Sequence, residues 1–237
     1  MARTYDVPLL VLTVGTGAID GVSFLALGQV FAGNMTGNIL LFGFGLAGVP
    51  GIPALNNAVA LLAFAIGAVL AGRVTRDASG LARLSRSGLT VLAGGTTLTW
   101  ALAGLWTAAG APHGPAMLGT TGLLALVLGA QAAVARRIGV PGLSTVVVTS
   151  TLVSLCTDSR IAGGTSRGWP RRIGALVAMG SGALVAAILT TRVSGAAALL
   201  LAGVMLATGT AMAARVRRRE VNAAGRARRT SPGRLGR

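Results

Sequence analysis

Apolar residues fall into eight runs along the chain, separated by short breaks that contain polar residues, glycine or proline. The runs cover residues 8–27, 35–49, 54–72, 88–109, 116–135, 143–157, 173–191 and 193–214. Most of them are about 20 residues long, which is the length that a helix needs to cross the hydrocarbon core of a membrane. The pattern therefore predicts an all-α membrane protein with about six transmembrane helices.

The second and the sixth runs are shorter than the others. A helix over residues 35–49 would be about 22 Å long, whereas the hydrocarbon core is roughly 30 Å thick. The two short runs hold corresponding places when the chain is divided into a first membrane repeat, 1–110, and a second, 111–214. They predict two re-entrant half-helices, each of which enters and leaves the membrane on one face.

The arginines support this assignment, because lysine and arginine are enriched in cytoplasmic loops. The loops before and after residues 143–157 both carry arginines, such as Arg137 and Arg172. Six crossings with both termini in the cytoplasm leave only Arg192 outside. Eight full crossings would place one of the two arginine-bearing loops outside, and the sequence therefore favours six.

The same assignment gives the two repeats opposite orientations in the membrane. The first run crosses from inside to outside, and its counterpart 116–135 crosses from outside to inside. Asp20 precedes Gly28 by eight residues in the first repeat. Gln131 precedes Gly139 by eight in the second. The sequence therefore predicts an inverted repeat, an architecture that many secondary transporters share.

Composition agrees with a membrane protein, since 53% of the residues are hydrophobic and 11% are charged. Soluble domains carry about 25% charged residues. The 36 glycines are typical of helices that approach each other closely in lipid. A single cysteine, Cys156, excludes an internal disulfide.

The formal net charge is +16, and all 21 basic residues are arginines. Nine of these arginines lie in residues 215–237. This composition predicts a disordered basic tail in the cytoplasm. Its nearest partner besides the bilayer itself is the layer of anionic lipid head groups. Nucleic acid is a distant alternative.

Polar residues cluster at the start of the first short run, in FAGNMTGNIL (Phe31–Leu40). Asn34 is placed to cap a helix that begins at residue 35. Thr36, Gly37 and Asn38 then form its first turn. The N-terminus of a helix presents unpaired N–H groups and a positive dipole end, which favour an anionic or polar solute. The alternative is that these residues only cap and pack the helix.

Asp20 lies near the middle of the first predicted span, where an ionisable group is costly and is a functional candidate by default. Burial disfavours the ionised form of a carboxyl, so Asp20 is a candidate for carrying a coupled proton. Gln131 is its counterpart in the second repeat. Thr149 and Thr151 open the second short helix and are further candidates for binding a solute. Helix packing is the alternative role for all four residues.

Motifs of known enzymes and of metal sites are missing from the sequence. It has one histidine, no paired carboxylates at catalytic spacing and no glycine-rich phosphate loop with a lysine. We therefore expect neither an enzyme nor a bound metal or cofactor.

Two stretches, DGVSFLALGQVFAGNMTGNILLFG and GAQAAVARRIGVPGLSTVVVTSTL, resemble the YoaK family of bacterial membrane proteins, and the resemblance extends from about Val7 to Ala214. That family is a domain of unknown function with about six predicted spans. The resemblance implies a multi-pass protein of the bacterial cell (inner) membrane and no particular activity. The chain departs from the family pattern at Ala132, where an asparagine is expected, and at Thr149–Thr151, where Thr-Gly-Thr is expected.

Two functions are compatible with these patterns. The first is a secondary transporter or channel for a small polar or anionic solute, coupled to protons through Asp20. The second is a non-transporting scaffold or partner subunit of the membrane, and self-association is left open in both. Transport predicts that the polar candidates converge on one cavity. A scaffold predicts that they are paired with one another in a dry interior.

Overall fold

The computed structural model describes residues 2–76, 83–140, 148–166 and 168–230, and all regular secondary structure in these ranges is helical. Its α-helices are α1 Asp6–Ala26, α2 Met35–Leu46, α3 Ala54–Val74, α4 Arg86–Ala109, α5 Gly114–Ile138, α6 Val148–Thr157, α7 Trp169–Arg192 and α8 Gly195–Thr230. All of them except α2 and α6 are long and apolar enough to cross a membrane. The predicted all-α fold with six spans and two shorter apolar helices is confirmed.

Local sequence signals explain where several helices begin and end. Ser85 caps α4, because its hydroxyl oxygen accepts a hydrogen bond from the backbone N–H of Gly88 at 2.8 Å. Pro115 lies in the first turn of α5, where its missing N–H costs nothing. Gly139 ends α5 in a left-handed conformation, with a φ of 68°.

Helix α1 is the most buried of the six spans and lies at the centre of the bundle. It packs mainly on α7 and α8, while α5 packs mainly on α3 and also touches α4. The crossing of α1 and α7 is close because glycines face backbone there. A Cβ on Gly17 would overlap the carbonyl of Met179, and a Cβ on Gly182 would overlap the carbonyl of Val14. The close approach therefore depends on both glycines.

The crossing of α3 and α5 has the same construction. A Cβ on Gly129 would overlap the carbonyl of Phe64, and a Cβ on Gly67 would overlap the carbonyl of Leu126. On α3, Phe64 precedes Gly67 by three residues, and on α5, Leu126 precedes Gly129 by three. The crossing of α1 and α7 has the same spacing on both helices. Small residues at helix contacts are typical of membrane proteins, where van der Waals packing replaces the hydrophobic effect.

Contacts along α1 and α7 fix the relative direction of these two helices. Helices α1 and α7 are parallel, since Asp6 and Arg171 at their starts lie 3.7 Å apart. Farther along both helices, Gly21 lies against Ala183. Because α1 and α7 are parallel, the chain between them must make an even number of reversals.

Helix α5 is antiparallel to α1 and parallel to α3. Gln131, late in α5, bonds to Thr16 in α1, whereas Thr121, early in α5, bonds to the carbonyl of Leu27 just after α1. In α3, Val59 lies against the early part of α5, and Arg137 near the end of α5 donates to the carbonyl of Gly72. Neither α2 nor α6 therefore reverses the chain a further time. The pairing of α1 with α7 and of α5 with α3 is compatible with an inverted repeat, which stays a prediction.

The arginine-rich end of the chain corrects one prediction. The sequence predicts a disordered tail over residues 215–237, but α8 continues without a break to Thr230. Residues 231–237 lie outside the described part of the chain. The helical segment is rich in alanine and arginine, which are strong helix formers, and it extends a helix that is already nucleated by the membrane span.

Glu220 ties this extension of α8 to the beginning of the chain. Its Oε2 accepts hydrogen bonds from the hydroxyl of Tyr5 at 2.9 Å and from the backbone N–H of Arg83 at 3.1 Å. Burial, followed by the hydrogen bond to Glu220, raises the pKa of the Tyr5 phenol. Tyr5 therefore stays a protonated donor and holds the start of the chain against α8.

We expect Tyr5→Phe to lower the free energy of unfolding by about 1.5–3 kcal/mol, the range for a hydrogen bond to a charged group. The phenyl ring keeps the apolar contacts of the buried Tyr5 side chain, so the loss isolates the hydroxyl. Thermal unfolding in detergent, followed by circular dichroism, measures the change. The matched control is Thr97→Val, since the exposed hydroxyl of Thr97 bonds only to its own helix. Equal stability of the two variants would contradict the anchoring role of Tyr5.

Candidate functional site

The chain turns back along α1 as soon as that helix ends at Ala26. Two consecutive residues make the turn in left-handed conformations, Gly28 with a φ of 83° and Gln29 with a φ of 55°. Glycine adopts this region freely, whereas a residue with a Cβ rarely does. After the turn, the backbone N–H of Ala32 donates to Oγ of Ser23, back on α1, at 3.2 Å. The loop therefore returns into the bundle.

The returning loop reaches Asp20, which lies about 9 Å before the end of α1 at the rise of a regular helix. The backbone N–H of Gly33 donates to Oδ1 of Asp20 at 2.6 Å. The Asp20 side chain is buried, with 4% of the residue exposed. Its second carboxylate oxygen, Oδ2, is buried without a hydrogen-bond partner. Half of this carboxyl group is thus held by the loop and half is unpaired.

Helix α2 begins beside Asp20, and Asn34 caps it as the sequence predicts. Oδ1 of Asn34 accepts from the backbone N–H of Gly37 at 3.3 Å. Asn38, one turn later, is fully buried and bonds to the backbone of Phe31 in both directions. Its Nδ2 donates to the carbonyl at 2.6 Å, and its Oδ1 accepts from the N–H at 2.9 Å. Asn38 therefore closes the loop, while Thr36 is exposed.

A cavity of about 270 Å³ lies between α1, α7 and the returning loop. Asp20 and Asn34 supply its polar side chains. Phe24 and Phe31 also line it, and their rings stack with centroids 4.7 Å apart. The wall that α7 contributes is uncharged and consists of Met179, Ala183 and Ala187. The cavity is therefore mainly apolar, with one carboxyl group and one amide.

Gln131 approaches the same part of α1 but does not line this cavity. It is buried on α5, and its Nε2 donates to Oγ1 of Thr16 at 2.9 Å. Thr16 lies one helical turn before Asp20 on α1. The amide is thus partnered across the contact between α5 and α1, close to the site and outside it.

The second short helix contributes nothing to the cavity beside Asp20. In α6, which packs on α7, Thr149 is exposed and Thr151 is buried. The beginning of the predicted run 143–157, residues 143–147, lies outside the described part of the chain. The structure therefore brings Asp20 and Asn34 together and keeps Thr149 and Thr151 apart from them.

Two contributors to the site were missed by sequence reasoning, Ser23 and the aromatic pair. The hydroxyl of Ser23 donates to the carbonyl of Asp20 at 3.2 Å and accepts from the returning loop. A signal was available for part of this set, because Ser23 and Phe24 follow Asp20 by three and four residues and so share its helix face. Phe31 gave no such signal, since its position depends on the turn at Gly28.

The described residues contain no group of three or more histidine, cysteine, aspartate or glutamate side chains arranged to hold a metal ion. The unpaired Oδ2 of Asp20 can hold a proton, accept a hydrogen bond from a solute or pair with a cation.

Comparison with known proteins gives a family and one relative. A family model described as "Protein of unknown function (DUF1275)" matches residues 8–212. The UPF0700 transmembrane protein YoaK of Bacillus subtilis (strain 168) is 29% identical over 153 residues, which are 63% of this chain. The chain spans 65% of the length of that relative. No solved structure matches the chain.

Proposed function

This chain belongs to the DUF1275 family of YoaK-like membrane proteins, and from its own residues we propose that it is a transporter of a small polar solute. Asp20 carries the coupled proton in this proposal. The observation that supports it is the state of the Asp20 carboxyl group, which is buried within a span and lines a cavity with one oxygen unpaired.

The unpaired carboxyl group favours transport over a purely structural role. Two other acidic residues pair with arginine, Asp6 with Arg171 and Asp158 with Arg172. Among the described residues, Asp20 has no such ion pair. A buried carboxylate without a counter-ion costs several kcal/mol, so burial favours the state in which a proton or a solute neutralises Asp20. A scaffold would use only the Oδ1 that holds the loop, whereas a transporter also uses the unpaired Oδ2.

The backbone beside Asp20 also fits a transporter. Helix α2 starts inside the bundle, after a loop whose N–H groups bond to α1, and it does not cross. Irregular backbone at membrane depth is tolerated where it is buried in protein or lines a cavity. Transporters use such broken helices to build binding sites near the middle of the membrane.

We assign the end of the bundle where α1 begins to the cytoplasm. Arg171 lies there beside Asp6, and Arg137 lies at the end of α3, where it donates to the carbonyls of Thr75 and Gly72. The helical extension of α8, with its arginines, reaches the same end. The positive-inside rule then gives cytoplasmic termini in the inner membrane of a bacterium, and anionic lipid head groups are the partners of this basic end.

The test is proton flux in proteoliposomes that contain a pH-sensitive dye and are challenged with a panel of small neutral, anionic and cationic solutes. We expect flux with one class of solute, and at least a tenfold loss in Asp20→Asn. The matched control is Asp158→Asn, which removes a half-exposed carboxylate that does not line the cavity and is expected to keep the flux.

Undiminished flux in a folded Asp20→Asn variant would remove Asp20 from the mechanism. No flux with any solute, from a folded wild-type protein, would contradict transport and favour the scaffold.

A further inference from the structure

The N-terminal end of α2 already has a carboxyl group beside it, and that group belongs to the protein. Oδ1 of Asp20 accepts the N–H of Gly33, and the side chain of Asn34 takes the N–H of Gly37. The positive end of the α2 dipole therefore faces Asp20. An anionic solute would have to displace this carboxyl group to use the same N–H groups. The structure thus disfavours the anion that the sequence allowed.

The groups around Oδ2 leave room for a positive charge. The side chains that α7 presents to the cavity are uncharged, and so is Leu128 of α5, which lies against Gly33. No ion pair with Asp20 is formed within the described part of the chain. A cation that enters the cavity would therefore meet a carboxylate oxygen without competition from an arginine.

The walls of the cavity distinguish between kinds of cation. A metal ion such as Ca²⁺ or Mg²⁺ takes six or more oxygen ligands, and this cavity offers the side-chain oxygens of Asp20 and Asn34 only. The stacked Phe24 and Phe31 rings and the alanines of α7 instead suit the carbon atoms of an organic ion. Aromatic rings also attract ammonium groups through the cation–π interaction.

We infer that the solute is a small organic ammonium ion, whose nitrogen pairs with Oδ2 of Asp20 in place of the proton. This inference rests on the proposed transport function and adds the chemical class of the solute. Phe24 and Phe31 form the apolar and aromatic part of the same binding site.

One carboxyl group cannot hold the proton and pair with the ammonium ion at the same time. When the solute enters, the O–H bond of Asp20 breaks, the proton passes to water, and the carboxylate forms an ion pair with the ammonium nitrogen. When the solute leaves, a proton from water returns to the carboxylate. The site is neutral in both states, which avoids the cost of a buried net charge. One ammonium ion is therefore exchanged for one proton.

The first measurement uses the full-length protein in detergent, in weakly buffered solution at neutral pH with a pH indicator. Ethylammonium chloride is expected to release up to one proton per chain, in a saturable manner. Sodium acetate and ethanol, which have the same number of carbon atoms, are expected to release none. The Asp20→Asn variant is expected to release none with any of the three.

A milder variant keeps the test decisive if Asp20→Asn does not fold. We expect Phe24→Leu to weaken ethylammonium binding about three- to tenfold, because an aromatic wall of the site is lost. The control is Phe44→Leu on α2, whose side chain is exposed on the outside of the bundle and is outside the cavity. Equal ethylammonium affinity in Phe24→Leu and Phe44→Leu would remove the aromatic pair from the site.

The remaining outcomes separate this inference from the proposed function. If acetate or ethanol releases the proton and ethylammonium does not, the ammonium class is wrong, and Asp20-dependent transport stands. If ethylammonium releases the proton in detergent but drives no proton flux in proteoliposomes, the binding site is correct and transport is wrong. A third outcome is that none of ethylammonium, acetate and ethanol releases a proton in detergent, although a different solute drives Asp20-dependent flux in proteoliposomes. In that case the exchange of an ammonium ion for a proton is wrong, and transport stands.

Discussion

Gly129→Val is expected to lower the free energy of unfolding by about 3 kcal/mol or more, because the new side chain overpacks a contact between two backbones. A Cβ at this position overlaps the carbonyl of Phe64 on α3. Backbone cannot rotate away as a side chain can, so α3 and α5 must separate along the whole crossing. Reversible unfolding in mixed detergent micelles, followed by circular dichroism, measures the loss.

The matched control is Gly104→Val on α4, where a Cβ has no neighbouring atom within 4 Å. Both variants exchange a glycine for valine within a helix, so the difference between them reports packing alone. Gly17→Val applies the same change to the crossing of α1 and α7 and is expected to cost a similar amount. If Gly129→Val were as stable as Gly104→Val, the close crossing of α3 and α5 would be wrong.

Asn38→Ala is expected to open the returning loop, with a loss of about 2–6 kcal/mol in the free energy of unfolding. The amide of Asn38 satisfies both the N–H and the carbonyl of Phe31, and an unpaired buried polar group costs about 1–3 kcal/mol. No water is available in the hydrocarbon region to replace these bonds. The loop that holds Asp20 therefore depends on one buried amide.

Two measurements test the role of Asn38. The first is unfolding in detergent, compared with Asn34→Ala, which removes an exposed cap and is expected to cost about 1 kcal/mol. The second is the rate at which the variant Ala32→Cys, at a fully buried position of the loop, reacts with a maleimide in a Cys156→Ser background. We expect the reaction to become faster when Asn38 is replaced. A cost no larger than that of Asn34→Ala, with an unchanged labelling rate, would contradict the role of Asn38 in closing the loop.

Sequence reasoning determined the number and kind of the helices and the cap at Asn34. The length of an apolar run and the choice of a capping residue are local properties, set by the thickness of the bilayer and by the chemistry of the first helical turn. The short helices α2 and α6 were found for the same reason, since a run that is too short to cross is visible in the sequence.

Tertiary structure decided which groups the polar residues bond. Asn38, predicted to bind a solute, bonds to the backbone of Phe31, and Gln131 bonds to Thr16 on a distant helix. These partners are set by a left-handed turn after α1 and by helix crossings, and neither is encoded in the spacing of polar residues. The aromatic wall beside Asp20 arises from the same turn.

The C-terminal segment gives the clearest case of a contact that only the folded chain provides. Its arginines predict disorder, yet α8 continues through them to Thr230, and Glu220 bonds to Tyr5 at the other end of the chain. A local pattern cannot show that two residues 215 positions apart will meet. The sequence by itself therefore determined which segments enter the membrane, because that depends on local hydrophobicity. Only the packing of the helices decided that Asp20 is left with one unpaired oxygen at a cavity, because that depends on what the rest of the chain brings beside it.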